Sequence, residues 1–211
     1  MYIAIEGVIG VGKTTLARLL QPLFEANLLL EIFEENPFLS DFYGDRARYA
    51  FQTQIFFLLS RYHQQRKGVR KALDSNPWLL SDYTFEKDRL FAEVNLHGDE
   101  LDMYFNVHEA LAEKITRPNL VVYLQADTDV LMQRIAQRDR TYERQIKTDY
   151  IHAVNLAYEQ RFASNPGQHC LTINTNQLDY VRNPDDLETV NQRIRQALKL
   201  APFQESLPID L

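Results

Sequence analysis

The chain has 211 residues, of which 45% are hydrophobic and 25% charged, with a net charge of −6. That balance suits one domain with a substantial core and excludes a global basic field for nucleic acid. A single cysteine, Cys170, excludes an internal disulfide and a cysteine-based zinc site, and no apolar run approaches the ~20 residues of a membrane span.

The first apolar run, Tyr2–Glu6, reads as a buried strand. Gly7-Val8-Ile9-Gly10-Val11-Gly12-Lys13-Thr14 follows at once and fits G-x-x-x-x-G-K-[ST] at every fixed position. Its glycines let the backbone turn its N–H groups towards phosphate oxygens. Lys13 supplies a point charge to the β/γ-phosphates, and the Thr14 hydroxyl is a Mg²⁺ ligand. A helix beginning at Lys13 aims its positive end at the same anion. Gly7, Gly10, Val11, Gly12, Lys13, Thr14 and Thr15 therefore form the predicted nucleoside-triphosphate site, with ATP and Mg²⁺ as cofactors.

Further strands are predicted at Leu28–Phe33, Trp78–Asp82, Leu120–Gln125 and Cys170–Asn174. Helices are predicted at Lys13–Ala26, Arg46–Leu73, Phe85–Val94, Asp99–Thr116, Thr128–Arg138 (with Asp127 as N-cap), Asp149–Phe162 and Pro184–Leu198. Alternating strands and helices predict an α/β fold with a five-stranded parallel sheet covered by helices on both faces. The expected organisation is one domain over residues 1–200 and a loosely attached tail at 201–211. Cys170, in its strand, is expected to be a buried structural thiol. The N-terminus enters its first strand without room for a signal peptide, which together with the composition predicts a soluble cytoplasmic protein with no membrane or nucleic-acid partner.

Ligands of open α/β sheets bind at the carboxyl ends of the strands, so the residues just after each strand carry the reading. Glu34 and Glu35 follow the second strand; a carboxylate there accepts the proton of an attacking hydroxyl, or is a solvated acid before the Pro37 turn. Gln54 and Arg61 are seven apart on a long apolar helix and share a face. A buried carboxamide needs partners and can pair with a nucleobase edge; the alternative places both in water. Asp82 ends the third strand, where it can orient a hydroxyl or hold a Mg²⁺-bound water, and Asp88 and Arg89 begin the next helix as site residues or a structural pair. Arg134, Arg138, Arg140 and Arg144 put four arginines in eleven residues. Such a cluster neutralises a transferring phosphoryl group and can close as a lid, about 138–147, or is a solvated helix end.

Together these segments resemble the deoxyribonucleoside kinase family, in particular its bacterial deoxyadenosine/deoxyguanosine kinase branch, over roughly residues 1–165. ENPFLSDFYGDRARYAFQTQIFFLLSR is the most specific stretch. The resemblance implies a P-loop kinase fold with an arginine-rich lid. The implied activity is ATP-dependent phosphorylation of the 5′-hydroxyl of a purine deoxynucleoside, extending to deoxycytidine, by a homodimer built through long helices. It implies Glu35, or its neighbour Glu34, as the general base and Asp82 as the acid after the third strand. Gln54 and Arg61 would then read the base beside Asp88, and Tyr43 with Glu143 would fix the sugar. Arg134, Arg138 and Arg140 become the lid cations. One departure stands out: Tyr83 occupies the place where the family has an Arg that pairs with the catalytic carboxylate, so either Arg89 or a lid arginine compensates or the departure is a feature of a sub-branch. Two rival readings remain at this level, a thymidylate-type nucleoside monophosphate kinase and a nucleotide-binding protein without turnover.

Overall fold

The computed structural model describes residues 1–33, 36–163 and 169–201. Five strands, β1 Tyr2–Gly7, β2 Asn27–Leu29, β3 Leu79–Ser81, β4 Leu120–Gln125 and β5 Cys170–Asn174, form one sheet in the order β2-β3-β1-β4-β5. Every pairing is parallel. β1 lies at the centre and is buried throughout, which is why its sequence is a nearly continuous apolar run. The helices are α1 Lys13–Phe24, α2 Leu39–Gly44, α3 Arg46–Ser75, α4 Glu86–Asn95, α5 Gly98–Ala112, α6 Thr128–Arg138, α7 Thr148–Ala163 and α8 Pro184–Ala197, with a short 3₁₀ turn at Thr141–Glu143. No helix among the described residues is long and apolar enough to cross a membrane.

The boundaries of β4, β5 and α6 agree with the sequence reading, and two differences have local causes. β2 stops at Leu29 rather than Phe33 because side chains take over its backbone groups. The Leu30 carbonyl accepts from Gln64 Nε2 at 2.7 Å, and the Glu31 N–H donates to Asp82 Oδ1 at 2.8 Å. α1 ends at Phe24, where Glu25 turns into the left-handed region with φ 48°. α5 ends at Ala112, short of Thr116. Asp127 stands at the N-cap of α6, but its side chain accepts no capping bond. α2 and the 3₁₀ turn were not expected. Cys170 is half-buried at the start of β5, and burial raises its thiol pKa. Glu34, Glu35 and the tail from 202 onward lie outside the described residues.

α3 fixes the geometry of the site. Asp45 caps it by accepting the Arg48 N–H. Its buried residues, among them Ala50, Gln54, Phe57, Leu58, Arg61, Tyr62, Gln65 and Val69, recur every three or four positions, the stripe of an amphipathic helix facing a core. Gln54 and Arg61 ride on that stripe and are carried inward with it.

Candidate active site

The loop after β1 crosses the carboxyl edge of the sheet between β3 and β4. Gly10 and Gly12 adopt φ +87° and +101°, and a Cβ on Gly12 would fall 2.3 Å from the Tyr180 hydroxyl oxygen. That hydroxyl donates towards the Val11 and Gly12 carbonyls at 3.3 Å. Lys13 Nζ donates to the carbonyls of Gly7 at 2.7 Å and Val8 at 3.0 Å. Burial and the nearby charge of Lys87 lower its pKa to about 8, against the pull of Glu6, Glu31 and Asp82, so it stays mostly protonated at neutral pH. Thr14 donates its hydroxyl to Asp82 Oδ2. Thr15 is exposed on the first turn of α1.

A second carboxylate, Glu31, two residues beyond β2, lines the same cleft as Lys13, Thr14 and Asp82. Its Oε1 accepts from Arg61 Nε at 2.9 Å and also from Arg61 Nη2, and its Oε2 accepts from Lys87 Nζ at 2.6 Å. Burial alone would raise the Glu31 pKa. The charges and hydrogen bonds of Arg61 and Lys87 outweigh it and hold the carboxyl far below its usual range. Tyr83 does not take part: it is buried and donates its hydroxyl to Gln64 Oε1 at 2.5 Å. Arg89 points elsewhere, half-exposed against Glu93 and over the Phe105 ring. In place of the Arg89 or lid arginine that was expected, the cations beside the Glu31 carboxylate are Arg61 and Lys87.

On the far side of the pocket, Gln54 is 2% exposed, and its Oε1 has no hydrogen-bond partner among the described residues. Arg61 lies 4.4 Å over the Phe57 ring and reaches Asp88 with Nη1. Burial pushes the Asp88 carboxyl up to about 6, with the Arg61 charge pulling the other way. Tyr43 and Glu143 line the same pocket as Lys13, Glu31 and Gln54. Burial, with Tyr150 and Glu143 nearby, raises the Tyr43 pKa and keeps its phenol protonated. Ten predicted residues, Gly10, Lys13, Thr14, Tyr43, Gln54, Arg61, Asp82, Arg138, Arg140 and Glu143, line one cleft; Asp88 stands behind Arg61.

The arginines divide. Arg138 makes a two-pronged pair with Glu143, Nη2 to Oε1 at 2.6 Å and Nε to Oε2 at 3.1 Å. Arg140 lies 3.6 Å from the same carboxylate and over the Phe33 ring at 4.4 Å. Both face the cleft. Arg134 instead braces the loop after β5 against the glycine loop, donating to the Thr175 carbonyl at 2.6 Å, Thr175 Oγ1 at 3.0 Å and the Val11 carbonyl at 3.4 Å. Glu31 and Lys87 are the residues that sequence reasoning missed. The available signal was an acid interrupting the apolar run LLLEIF just where a strand end would face the glycine loop; a lone lysine on a helix gives none.

Residues 3–199 match the family model described as deoxynucleoside kinase. The deoxyguanosine kinase of Bacillus subtilis (strain 168) is 33% identical over 201 residues, spanning 93% of this chain and 97% of that protein. The deoxyadenosine kinase of Dictyostelium discoideum is 30% identical over 211 residues, spanning 98% of this chain and 82% of that one. Among solved structures, the deoxyadenosine kinase from M. mycoides with products dCMP and a flexible dCDP bound has a TM-score of 0.80 at 23% identity, covering 93% of this chain and 100% of that one. At that identity the likeness concerns the fold.

Proposed function

The chain belongs to the deoxynucleoside kinase family and is an ATP-dependent phosphotransferase acting on deoxynucleosides, and from that premise we propose that its acceptor is a purine deoxynucleoside and that Glu31 is the general base. The observation that carries the reading is one cleft lined together by Lys13, the Glu31 carboxylate and Gln54, whose buried Oε1 has no partner among the described residues. A buried carboxamide oxygen without a partner is costly, and a base edge that donates a hydrogen bond removes that cost. The purine preference follows the names of the relatives in Bacillus and Dictyostelium.

In this reading the glycine-loop N–H groups and Lys13 hold the β/γ-phosphates. The Thr14 hydroxyl and the Asp82 carboxylate stand together as hard oxygen donors of the kind that suits Mg²⁺. Thr14 would hold the ion and Asp82 its water; when bound, it neutralises charge on the β/γ oxygens. Tyr43 and Glu143 position the deoxyribose. The 5′-oxygen bonds to the γ-phosphorus, the bond to the bridging oxygen breaks with its electron pair leaving on ADP, and the hydroxyl proton passes to Glu31. Arg138 and Arg140, on the lid at about 138–147, neutralise charge at the phosphoryl group once they exchange Glu143 for phosphate. We further propose a homodimer through α3 and α5, whose Leu59 and Met103 are 43% and 54% exposed; light scattering reads that directly.

The deciding assay is turnover of ATP with each of the four 2′-deoxynucleosides, with dAMP and dTMP as controls. Deoxyadenosine or deoxyguanosine should give the highest kcat/KM. A pyrimidine preference would overturn the purine assignment.

A further inference from the structure

Lys87 stands apart from the other cations of the cleft. It is 8% exposed, on the first turn of α4, and its one ionic partner among the described residues is Glu31. Its charge reaches Lys13, whose pKa it helps to lower. The side chain lines the same cleft as Glu31, Lys13 and Thr14. Arg61, the second cation on Glu31, is fixed from three sides: Glu31, Asp88 and the Phe57 ring. Lys87 has one ionic partner, lies over the Phe91 ring at 5.5 Å, and holds both on a flexible four-carbon stem.

The arrangement poses a chemical problem. A carboxylate gripped by two cations is a weak base, yet the proposed reaction needs it to take a proton. As the phosphoryl group transfers, negative charge leaves the cleft wall and gathers on the phosphoryl oxygens and ADP. When the proton reaches Glu31 its negative charge disappears, and an ammonium beside it loses its partner while a new anion forms within reach. Arg61 cannot answer that change without abandoning buried Asp88. Lys87 can answer it by rotating its stem.

We infer that Lys87 is a catalytic residue whose ammonium leaves Glu31 for the transferring phosphoryl group as the 5′-oxygen gives up its proton. This rests on Glu31 being the base. The balance is that of the kinase reaction: one O–P bond forms, one breaks with its electron pair on ADP, and the proton goes to Glu31 and then to solvent. Lys87 moves charge and exchanges no atoms. It also answers the departure at position 83, because Tyr83 is turned to Gln64 and leaves this place to the lysine.

The test uses the full chain with K87M, K87R and E31Q, measuring kcat by ADP release and the dissociation constants of ATP and deoxynucleoside by calorimetry. K87M should lose about 10²-fold or more in kcat, the scale of one lost transition-state donor, while both dissociation constants stay within about threefold of wild type. K87R, which keeps the charge, should recover at least about tenfold of the loss. The inference is overturned by a K87M kcat within about threefold of wild type, by a loss of nucleoside affinity that accounts for the whole kcat/KM deficit, or by a K87R that binds both substrates yet turns over no faster than K87M. E31Q separates the two levels. Turnover in E31Q overturns the base assignment, whereas an inactive E31Q beside an active K87M overturns the Lys87 inference alone.

Discussion

Gln54 concentrates base recognition on one carboxamide inside an apolar wall. In Gln54→Leu the shape is nearly kept and the unpartnered oxygen removed. The free protein should therefore be as stable as wild type or more so, because an unsatisfied buried acceptor costs about 1–3 kcal/mol. Nucleoside KM should rise and discrimination among bases relax, by about 1–3 kcal/mol if the pair with the base is bidentate. Melting temperature and kcat/KM for the four deoxynucleosides measure the two effects separately; unchanged discrimination would move base reading to Arg61. The same residue shows what was legible. Seven-residue spacing on an apolar helix was enough to place Gln54 and Arg61 on one face, because helix period is a local property. Glu31 was harder to read as a site residue, since it interrupts LLLEIF but the apolar residues on both sides extend the predicted strand to Phe33. Only the long-range bonds of Leu30 and Glu31 to Gln64 and Asp82 end the strand at Leu29.

At the scale of elements, the glycine loop and α1 act as one piece, held by groups far along the chain. Tyr180 and Arg134 both donate to the Val11 carbonyl. Gly12 combines positive φ with contact to Tyr180, so Gly12→Ala brings both backbone strain and a clash. We expect Gly12→Ala to fold, with strain on the order of 1–3 kcal/mol, but to lose ATP affinity because the loop amides no longer converge. Calorimetric titration with ATP measures that loss, and Gly12→Ala/Tyr180→Phe should not restore it, since the φ requirement persists. Near-wild-type ATP binding in the single variant would show that loop geometry tolerates a side chain here. The strand–loop–helix unit was readable because its glycine positions answer to local backbone geometry. α2 was not, because LSDFYG is too short to show a helical period. Its aromatic residues are instead fixed by tertiary packing, with Phe42 against Tyr43 and Tyr150.

Across the whole molecule, Glu31, Arg61, Lys87 and Asp88 form a buried charge cluster that ties the end of β2 to α3 and α4. No window of sequence shows such a cluster, because its members lie on three elements and only the crossover topology brings them together. Its two carboxyls answer pH with opposite signs. Glu31 is depressed by its cations, so its contribution to stability is fully present above the unfolded carboxyl pKa of ~4.5 and is lost as pH falls below it. Asp88 is raised to about 6 by burial, so its contribution is present in acid and is lost as pH rises through 6. Between the unfolded value of 3.8 and about 6 Asp88 opposes Glu31, because it is protonated in the folded state while still ionised in the unfolded one; comparison with E31Q, which keeps Asp88, brings out the Glu31 response. Urea unfolding of wild type and E31Q between pH 5 and 3 should show wild type losing stability faster with falling pH. The ceiling on the difference is about 1.4 kcal/mol per pH unit, one proton's worth. The observed difference should be smaller, because Arg61 in E31Q turns wholly to Asp88 and makes that carboxyl acid-sensitive in its place. Equal slopes would mean that Glu31 is not clasped as tightly in solution as its contacts with Arg61 and Lys87 require, and the cluster would then have to be a looser, hydrated one.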